Sequence, residues 1–326
     1  MMKKQILFLV VLVLVLSPLM ARGAGGGDPV ANWPTRPINL VVAFAAGGNS
    51  DNNARVLGRY LTHELGVPII VTNVPAGGGT VAAAQVRDAR PDGYTVLVHQ
   101  LSMNIAYALG MMDFTFEDLA VVCVFAKTVD EILIVNRDAP WHSIPELIAD
   151  SQRNPGTIRL GANTGAVSHW VAIEMQRAGG EFNVVSIGGS GERIPLLLGG
   201  HVDVLAMPIS MIQDYLDTGQ FRPLATTSPL RPPLMPDVPT LLELGVEVGY
   251  YFYNTFFMPP GTHPDIVARF SEAVRRVVHY NASYAYAMAN LPFLQVPFWM
   301  DTQATIEHYR NELRELMAIS HILRGN

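Results

Sequence analysis

The sequence contains very little cysteine and lysine, and it has few long apolar runs. Cys123 is the single cysteine among 326 residues, so no disulfide can form within the chain. Lys127 is the only lysine after residue 4, and acidic side chains outnumber basic ones by 28 to 22. This acidic balance argues against nucleic acid as a partner. After residue 16 no apolar run approaches the length of a membrane span.

The motifs of common catalytic and metal sites are also missing. None of the nine histidines occurs in an HExxH or HxH spacing, and one cysteine cannot form a thiolate cluster. The hydrolase motif GxSxG is absent, because the segment 188–192 lacks its final glycine. Ser168 and His169 are adjacent, so their side chains diverge and do not form a nucleophile pair. We therefore expect no catalytic residue, no metal and no cofactor.

Residues 1–23 have the pattern of a secretory signal peptide. Two lysines precede an apolar run over residues 6–16, and small residues follow it. The run is short for a membrane-spanning helix, although a membrane anchor is the alternative interpretation. We expect cleavage after Gly23, with cleavage after Ala21 as the alternative. No cysteine that could carry a lipid anchor comes directly after this segment, so we expect a protein without a lipid anchor. We expect the mature protein to be a soluble monomer in the periplasm.

The stretch 40–55 predicts a buried strand, a tight turn and the start of a helix. A short apolar run ends at Gly47 and Gly48, and polar residues follow before a segment with helical spacing. Free backbone N–H groups at the positive end of a helix dipole can bind an anion without any basic side chain. The alternative is that the glycines only permit the turn and that Ser50 or Asp51 only caps the helix.

The same strand–turn–helix pattern recurs three times, with turns at 77–80, 162–169 and 188–191. The glycines at 77 and 79 mimic a dinucleotide fingerprint, but they are separated from the strand and no acidic residue follows the next strand. We therefore do not expect a nucleotide. Two turns precede Glu131 and two follow it, so helix N-termini can face each other across a cleft. We expect substitution of Gly48 or Gly78 to weaken anion binding more than the loss of any single arginine.

Strands alternate with helices along the chain, which indicates an α/β protein with ligands at the carboxyl ends of parallel strands. Predicted strands cover residues 38–44, 68–73, 94–98, 131–136, 158–161, 183–187, 201–207, 222–227 and 250–258. Further helices are predicted over 144–153, 210–218, 264–279 and 301–320.

Five short motifs occur in the order and spacing of a known family. They are FAAGGNSD at 44–51, NVPAGGG at 73–79, PDGYT at 91–95, LLGGHVD at 197–203 and PDVPT at 236–240. The mature chain resembles the Bug or TctC-type receptors, the periplasmic solute-binding proteins of tripartite tricarboxylate transporters.

The resemblance implies a two-domain periplasmic-binding-protein (flytrap) fold. Each domain would be a mixed, mostly parallel sheet flanked by helices. The first domain would contain residues 33–131 and 228–326, and the second residues 132–227, with a hinge of two strands at 131–136 and 222–228.

The resemblance also implies a non-enzymatic receptor that binds a small carboxylate and delivers it to membrane permease subunits. Ligand residues expected on the first domain are Phe44, Ala46, Gly47, Gly48, Ser50, Asp51, Gly78, Gly79, Thr80, Gln100, Ser102 and Tyr253. Those expected on the second domain are Thr164, Gly165, Ser168, His169, Ser190 and Met207.

Some positions depart from the family pattern. Val74 replaces the usual arginine, Ile187 replaces the usual tyrosine, and Met207 stands where an acidic residue is usual. If these residues and the aromatic run 250–257 line the cleft, we expect a ligand with an apolar or aromatic body. An ammonium group would then lack a carboxylate partner, so aspartate and glutamate should bind poorly. The alternative is that these side chains are core.

Two other functions remain open from the sequence. A ligand sensor for a signalling partner would have the same domains with a different docking surface. A secreted enzyme acting on a carboxylate would need a base and a nucleophile in the cleft.

Overall fold

The computed structural model describes residues 30–128, 131–164, 166–188, 190–232, 235–289 and 295–324. The predicted signal peptide and the predicted ligand residue Gly165 lie outside these ranges, and so does the side chain of Ser190. The described residues form two β-sheets with helices packed against both.

The strands divide between a six-stranded sheet with the order β11-β4-β10-β3-β1-β2 and a five-stranded sheet with the order β7-β6-β8-β5-β9. Four strands of the first sheet and four of the second run in one direction, and parallel and antiparallel pairings occur in both, so both sheets are mixed. The strands are β1 (Ile38–Val42), β2 (Ile69–Asn73), β3 (Thr95–His99), β4 (Ala120–Thr128), β5 (Glu131–Asn136), β6 (Arg159–Ala162), β7 (Asn183–Ser186), β8 (Val204–Pro208), β9 (Phe221–Thr226), β10 (Phe252–Met258) and β11 (Gln295–Met300).

Helices follow the parallel strands and cover the sheets. They are α1 (Asn49–Leu65), α2 (Thr80–Arg87), α3 (Ser102–Ala108), α4 (Ile144–Arg153), α5 (Val167–Arg177), α6 (Ser190–Leu198), α7 (Ile209–Asp217), α8 (Pro264–Tyr280), α9 (Ala282–Ala289), α10 (Thr302–Ala318) and α11 (Ser320–Leu323).

The β1–α1 unit shows why the sequence folds this way locally. β1 is almost entirely apolar and is buried because helices cover both faces of the parallel part of the sheet. In α1, Ala54, Leu57 and Leu61 recur at helical spacing and form its buried face. The helix ends at Gly66, which adopts a left-handed conformation (φ 72°) and donates its N–H to the carbonyl of Thr62.

Two connections join the sheets at the positions predicted for a hinge. β5 has the predicted bounds and pairs with β9 inside the second sheet. The chain comes to β5 from β4 of the first sheet and leaves β9 toward β10 of the first sheet. Movement about these connections, and the division into domains there, stay predictions.

Five of the elements named above were not predicted from the sequence: α3, β4, α9, β11 and α11. β11 contains Pro297, which has no N–H for a sheet ladder and therefore argues against a strand. It is accommodated because β11 is an edge strand that pairs only with β4. β4 contains Cys123, which is a fully buried free thiol.

Candidate ligand-binding cleft

A cavity of about 460 Å³ lies between turns of the first sheet and turns of the second. Its walls contain nine of the predicted ligand residues, which the fold brings together from both halves of the chain. These are Phe44, Ala46, Gly47, Gly48, Ser50, Gly78, Gln100, Ser102 and Ser168.

The N-terminus of α1 forms part of the first wall. The helix begins after Gly48, and no side chain caps it. Uncapped N–H groups at a helix start attract an anion, and Ser50 of this first turn lines the cleft. Gly47 adopts φ 77°, and its N–H donates to the Asp51 carboxylate at 2.8 Å. One N–H group of the predicted nest is therefore already occupied.

Asp51 lies behind this turn and does not line the cleft. It is buried, and besides Gly47 it accepts hydrogen bonds from Asn73 and Arg55, each at 2.9 Å. Burial raises the pKa of Asp51, but the hydrogen bonds from Arg55, Gly47 and Asn73 outweigh it and hold the pKa below its ordinary value of 3.8. The structure thus places this predicted ligand residue as a brace for the turn.

His99 supports the second glycine turn from inside the protein. A Cβ atom on Gly79 (φ 100°) would lie 2.5 Å from His99 Nε2, so Gly79 faces the histidine rather than the cleft. The ring of His99 also packs against Phe44, with 5.4 Å between centroids. Burial lowers the pKa of His99 to about 4, which leaves the ring neutral at pH 7. Thr80 also lies outside the cleft lining, and its hydroxyl donates to the Gly77 carbonyl.

Ser168 and Arg193 form the polar part of the second wall. The Ser168 hydroxyl oxygen accepts hydrogen bonds from the N–H of Asn163 and from Nη2 of Arg193, both at 3.0 Å. Its own proton can therefore be donated to a ligand. Arg193 is buried, with 4% of its surface exposed, and Nη1 donates to the Ala206 carbonyl at 3.2 Å. Its Nε–H has no partner among the described residues.

Glu131 is a second buried charge in the cleft wall. Only 7% of its surface is exposed, and its carboxylate accepts a hydrogen bond from the Tyr250 hydroxyl at 3.0 Å. Burial raises the pKa of Glu131, while the charge of Arg193 and the Tyr250 hydrogen bond oppose the rise. Burial also lowers the pKa of Arg193, against the charge of Glu131.

The sequence analysis missed both of these charged residues. Arg193 follows the fourth glycine turn, and Glu131 opens an apolar strand. The position of Arg193 after a glycine turn was an available signal, because ligands of an α/β protein are expected there. Glu131 stands at the amino end of β5, and it reaches the cleft because β5 runs antiparallel to β8.

Several predicted ligand residues lie elsewhere. Met207 is fully buried in the core beside β5, packed in one apolar cluster with Ile132 and Ile187, so it does not form a cleft wall. Tyr253 lines a separate cavity of about 470 Å³ that shares no lining residue with the cleft. The apolar wall of the cleft contains the predicted Phe44 and Phe252 of the predicted aromatic run, together with side chains that were not predicted, among them Met211, Pro75, Pro208 and Val167.

The two remaining predicted residues of the second wall also lie outside the cleft lining. The Thr164 hydroxyl is 3.0 Å from that of Ser186 on the exposed edge strand β7. His169 is half-buried in the first turn of α5, and its burial lowers its pKa.

The family model for the tripartite tricarboxylate transporter family receptor (TctC) matches residues 53–322. The chain belongs to this receptor family. It is 32% identical to protein BugT of Bordetella pertussis, over 79% of this chain and 82% of that protein. It is 30% identical to the UPF0065 protein in the gbd 5′ region of Cupriavidus necator, over 88% of this chain and 87% of the relative.

Solved structures of the receptor family share the fold. The periplasmic binding protein BugD is 25% identical, with a TM-score of 0.79, over 89% of this chain and 98% of BugD. MatC from Rhodopseudomonas palustris, with bound malate, is also 25% identical with a TM-score of 0.79, over 88% of this chain and all of MatC. A second R. palustris protein, Rpa4515 with adipate, is 25% identical with a TM-score of 0.80, over 90% of this chain and 98% of that protein.

These similarities confirm the predicted family resemblance and fold class, and they identify the chain as a solute-binding protein of a transport family rather than an enzyme. Within the described ranges, no helix combines the length and the apolar character that crossing a membrane requires. No group of three or more His, Cys, Asp or Glu side chains suited to a metal ion occurs in the part of the chain that the structure describes.

Proposed function

We propose that this chain is a periplasmic receptor that captures a small carboxylate between its two sheets and delivers it to the permease subunits of a tripartite tricarboxylate-type transporter. The observation that carries the proposal is the cleft, where an uncapped helix N-terminus faces the same cavity as Ser168 and Arg193. The proposal includes export with removal of residues 1–23 and a monomeric mature protein. It also includes domains of residues 33–131 with 228–326 and of residues 132–227, which close on the ligand.

The donors of the cleft suit a carboxylate. A helix N-terminus contributes about 0.3 to 1 kcal/mol toward an anion, and up to ~2 kcal/mol when partly buried. A hydrogen bond to a charged group contributes about 1.5 to 3 kcal/mol. Ser168 and Arg193 can supply two such bonds, so the side chains are expected to contribute at least as much affinity as the helix. The loss of Arg193 should therefore weaken binding more than Gly48→Ala, contrary to the expectation from the sequence.

The apolar wall supports a ligand with an apolar body. Phe252 of the predicted aromatic run belongs to this wall, whereas Met207 and Ile187 lie in the core. Phe44, Phe252 and Met211 line the cleft, and burying apolar ligand surface against them contributes about 25 cal/mol per Å². Malate and adipate are the ligands bound to the two R. palustris relatives. Their presence in the same fold supports a carboxylate ligand here.

Thermal unfolding of the mature chain with a panel of carboxylates tests this function. We expect at least one of succinate, malate, adipate, benzoate and leucine to raise the melting temperature, because a ligand at a hundred times its Kd adds about 2.7 kcal/mol. Ser168→Ala should remove most of the shift. Ser186→Ala is the matched control, since this serine lies on β7 outside the cleft lining. No shift with any carboxylate, or an equal loss in both variants, would contradict the function.

A further inference from the structure

Two opposite charges face the cleft without forming a hydrogen bond to each other. Glu131 is 7% exposed and Arg193 is 4% exposed, so both are almost fully removed from bulk water. Glu131 accepts its hydrogen bond from Tyr250, and Arg193 donates to Ser168 and Ala206. The two charges lie in the wall of one cavity, and each interacts electrostatically with the other.

Such an arrangement is costly in an empty cleft. A buried ion loses its hydration, and attraction to a distant counter-charge compensates only part of that loss unless hydrogen bonds complete the pairing. The Nε–H of Arg193 has no acceptor among the described residues. Glu131 is buried, yet its carboxylate accepts a hydrogen bond from the neutral hydroxyl of Tyr250 rather than from a cation. A ligand that carried both a carboxylate and an ammonium group would satisfy both side chains at once.

We propose that the ligand is an amino carboxylate, with its ammonium group on Glu131 and its carboxylate on Arg193 and Ser168. This inference rests on the proposed function and narrows it. It also reverses the expectation drawn from Met207, since the acidic partner that an ammonium group needs comes from the start of β5 instead. Glu192 also lines the cleft but is exposed, so its charge is screened by water and discriminates less.

Glu131 has the properties of a specificity-determining residue. A ligand with a carboxylate and no ammonium leaves Glu131 without a cation and adds a second negative charge near it. Like charges in a low-dielectric cleft disfavour binding. Of two ligands that differ only in the ammonium group, the amino member should therefore bind more tightly.

Isothermal titration with matched ligand pairs tests the inference. The pairs are leucine with 4-methylpentanoate, phenylalanine with 3-phenylpropanoate, and aspartate with succinate. In the wild-type mature chain, freed of retained ligand, we expect the amino member of at least one pair to bind at least ten times more tightly. In Glu131→Gln, that preference should fall to less than threefold, and the affinity for the plain acid should stay equal or rise. Glu181→Gln, at an exposed side chain outside the cleft lining, is the matched control and should keep the wild-type preference.

The outcomes separate this inference from the function on which it rests. Binding of the plain acids as tightly as their amino counterparts, or an unchanged preference in Glu131→Gln, would overturn the amino carboxylate while leaving a carboxylate receptor. No binding of either member of any pair would also overturn the amino carboxylate, and it would overturn the receptor function only if the wider panel of carboxylates gave no thermal shift. If Glu131→Gln does not fold, Glu131→Asp replaces it in the test. This variant keeps the negative charge on a side chain that is one methylene shorter, so the preference for the amino member should lie between threefold and the wild-type value. An unchanged preference in this variant would contradict the inference.

Discussion

At the scale of single residues, the charged groups at the cleft have different tasks. Asp51 braces the first glycine turn from behind, whereas Arg193 and Glu131 face the ligand space. The sequence places Asp51 within a family motif, but it does not show which way its side chain points. That direction is decided by Arg55 and Asn73, which hold the carboxylate inside.

Replacement of Asp51 by Asn should weaken the fold rather than only the site. The variant loses the charge-assisted bonds to Gly47 and Arg55, so we expect its unfolding free energy to fall by about 1 to 3 kcal/mol at pH 7. Because the pKa of Asp51 is lowered in the folded protein, this stabilisation is present above pH 3.8 and disappears as the pH falls further. Urea unfolding at pH 7 and pH 3 measures the difference. Asp88→Asn, at an exposed ion pair, is the control; equal effects of both variants would refute the brace.

His99 should make the stability of the protein sensitive to mild acid. Its pKa in the folded protein is about 4, below the ordinary value of 6.5. As the pH falls, His99 therefore binds a proton in the unfolded chain before it does so in the folded protein. Stability is therefore complete above pH 6.5 and decreases as the pH falls toward 4. We expect the unfolding free energy to lose about 2 kcal/mol between pH 7 and pH 5 through this residue. Denaturant titrations of the wild type and His99→Gln measure it, and identical pH slopes would contradict the account.

At the scale of elements, the strand–turn–helix units could largely be predicted from the sequence. The distant segments that each unit packs against could not. The apolar run of β1, the glycines that follow it and the helical spacing of α1 are local signals, and these elements were found within a few residues. Arg193 and Glu131 meet at one cavity only because α6 packs against β5 of the second sheet. Sequence spacing does not encode such a meeting between distant segments.

The second glycine turn should tolerate no side chain at position 79. Gly79 combines a left-handed φ of 100° with the 2.5 Å approach of His99 to the Cβ position. We expect Gly79→Ala to lower the melting temperature markedly and to displace Phe44 at the cleft. Gly48→Ala is the control, because Gly48 has φ −76° and its Cβ would lie 3.2 Å from a carbonyl that needs to shift only slightly. Circular dichroism melts compare them, and a larger effect at Gly48 would disprove this reading of the turn.

At the scale of the whole molecule, the two sheets share an apolar core, and the cleft lies between their turns. Leu101 and Ile105 of the first half and Val171 and Met175 of the second belong to the same buried cluster, which keeps the halves adjacent. The family resemblance predicted this architecture, because the fold follows from motif order. The family resemblance does not predict the ligand, because cleft side chains such as Arg193 lie outside the motifs that carry the resemblance.

A crystal structure of the mature chain with the tightest-binding carboxylate tests the central claim most directly. We expect the ligand in the cleft, with a carboxylate oxygen within hydrogen-bonding distance of the Arg193 guanidinium and of the Ser168 hydroxyl, close to the N-terminus of α1. A ligand bound in the separate cavity lined by Tyr253 and His308, or one in the cleft that leaves Arg193 and Ser168 without contact, would contradict it.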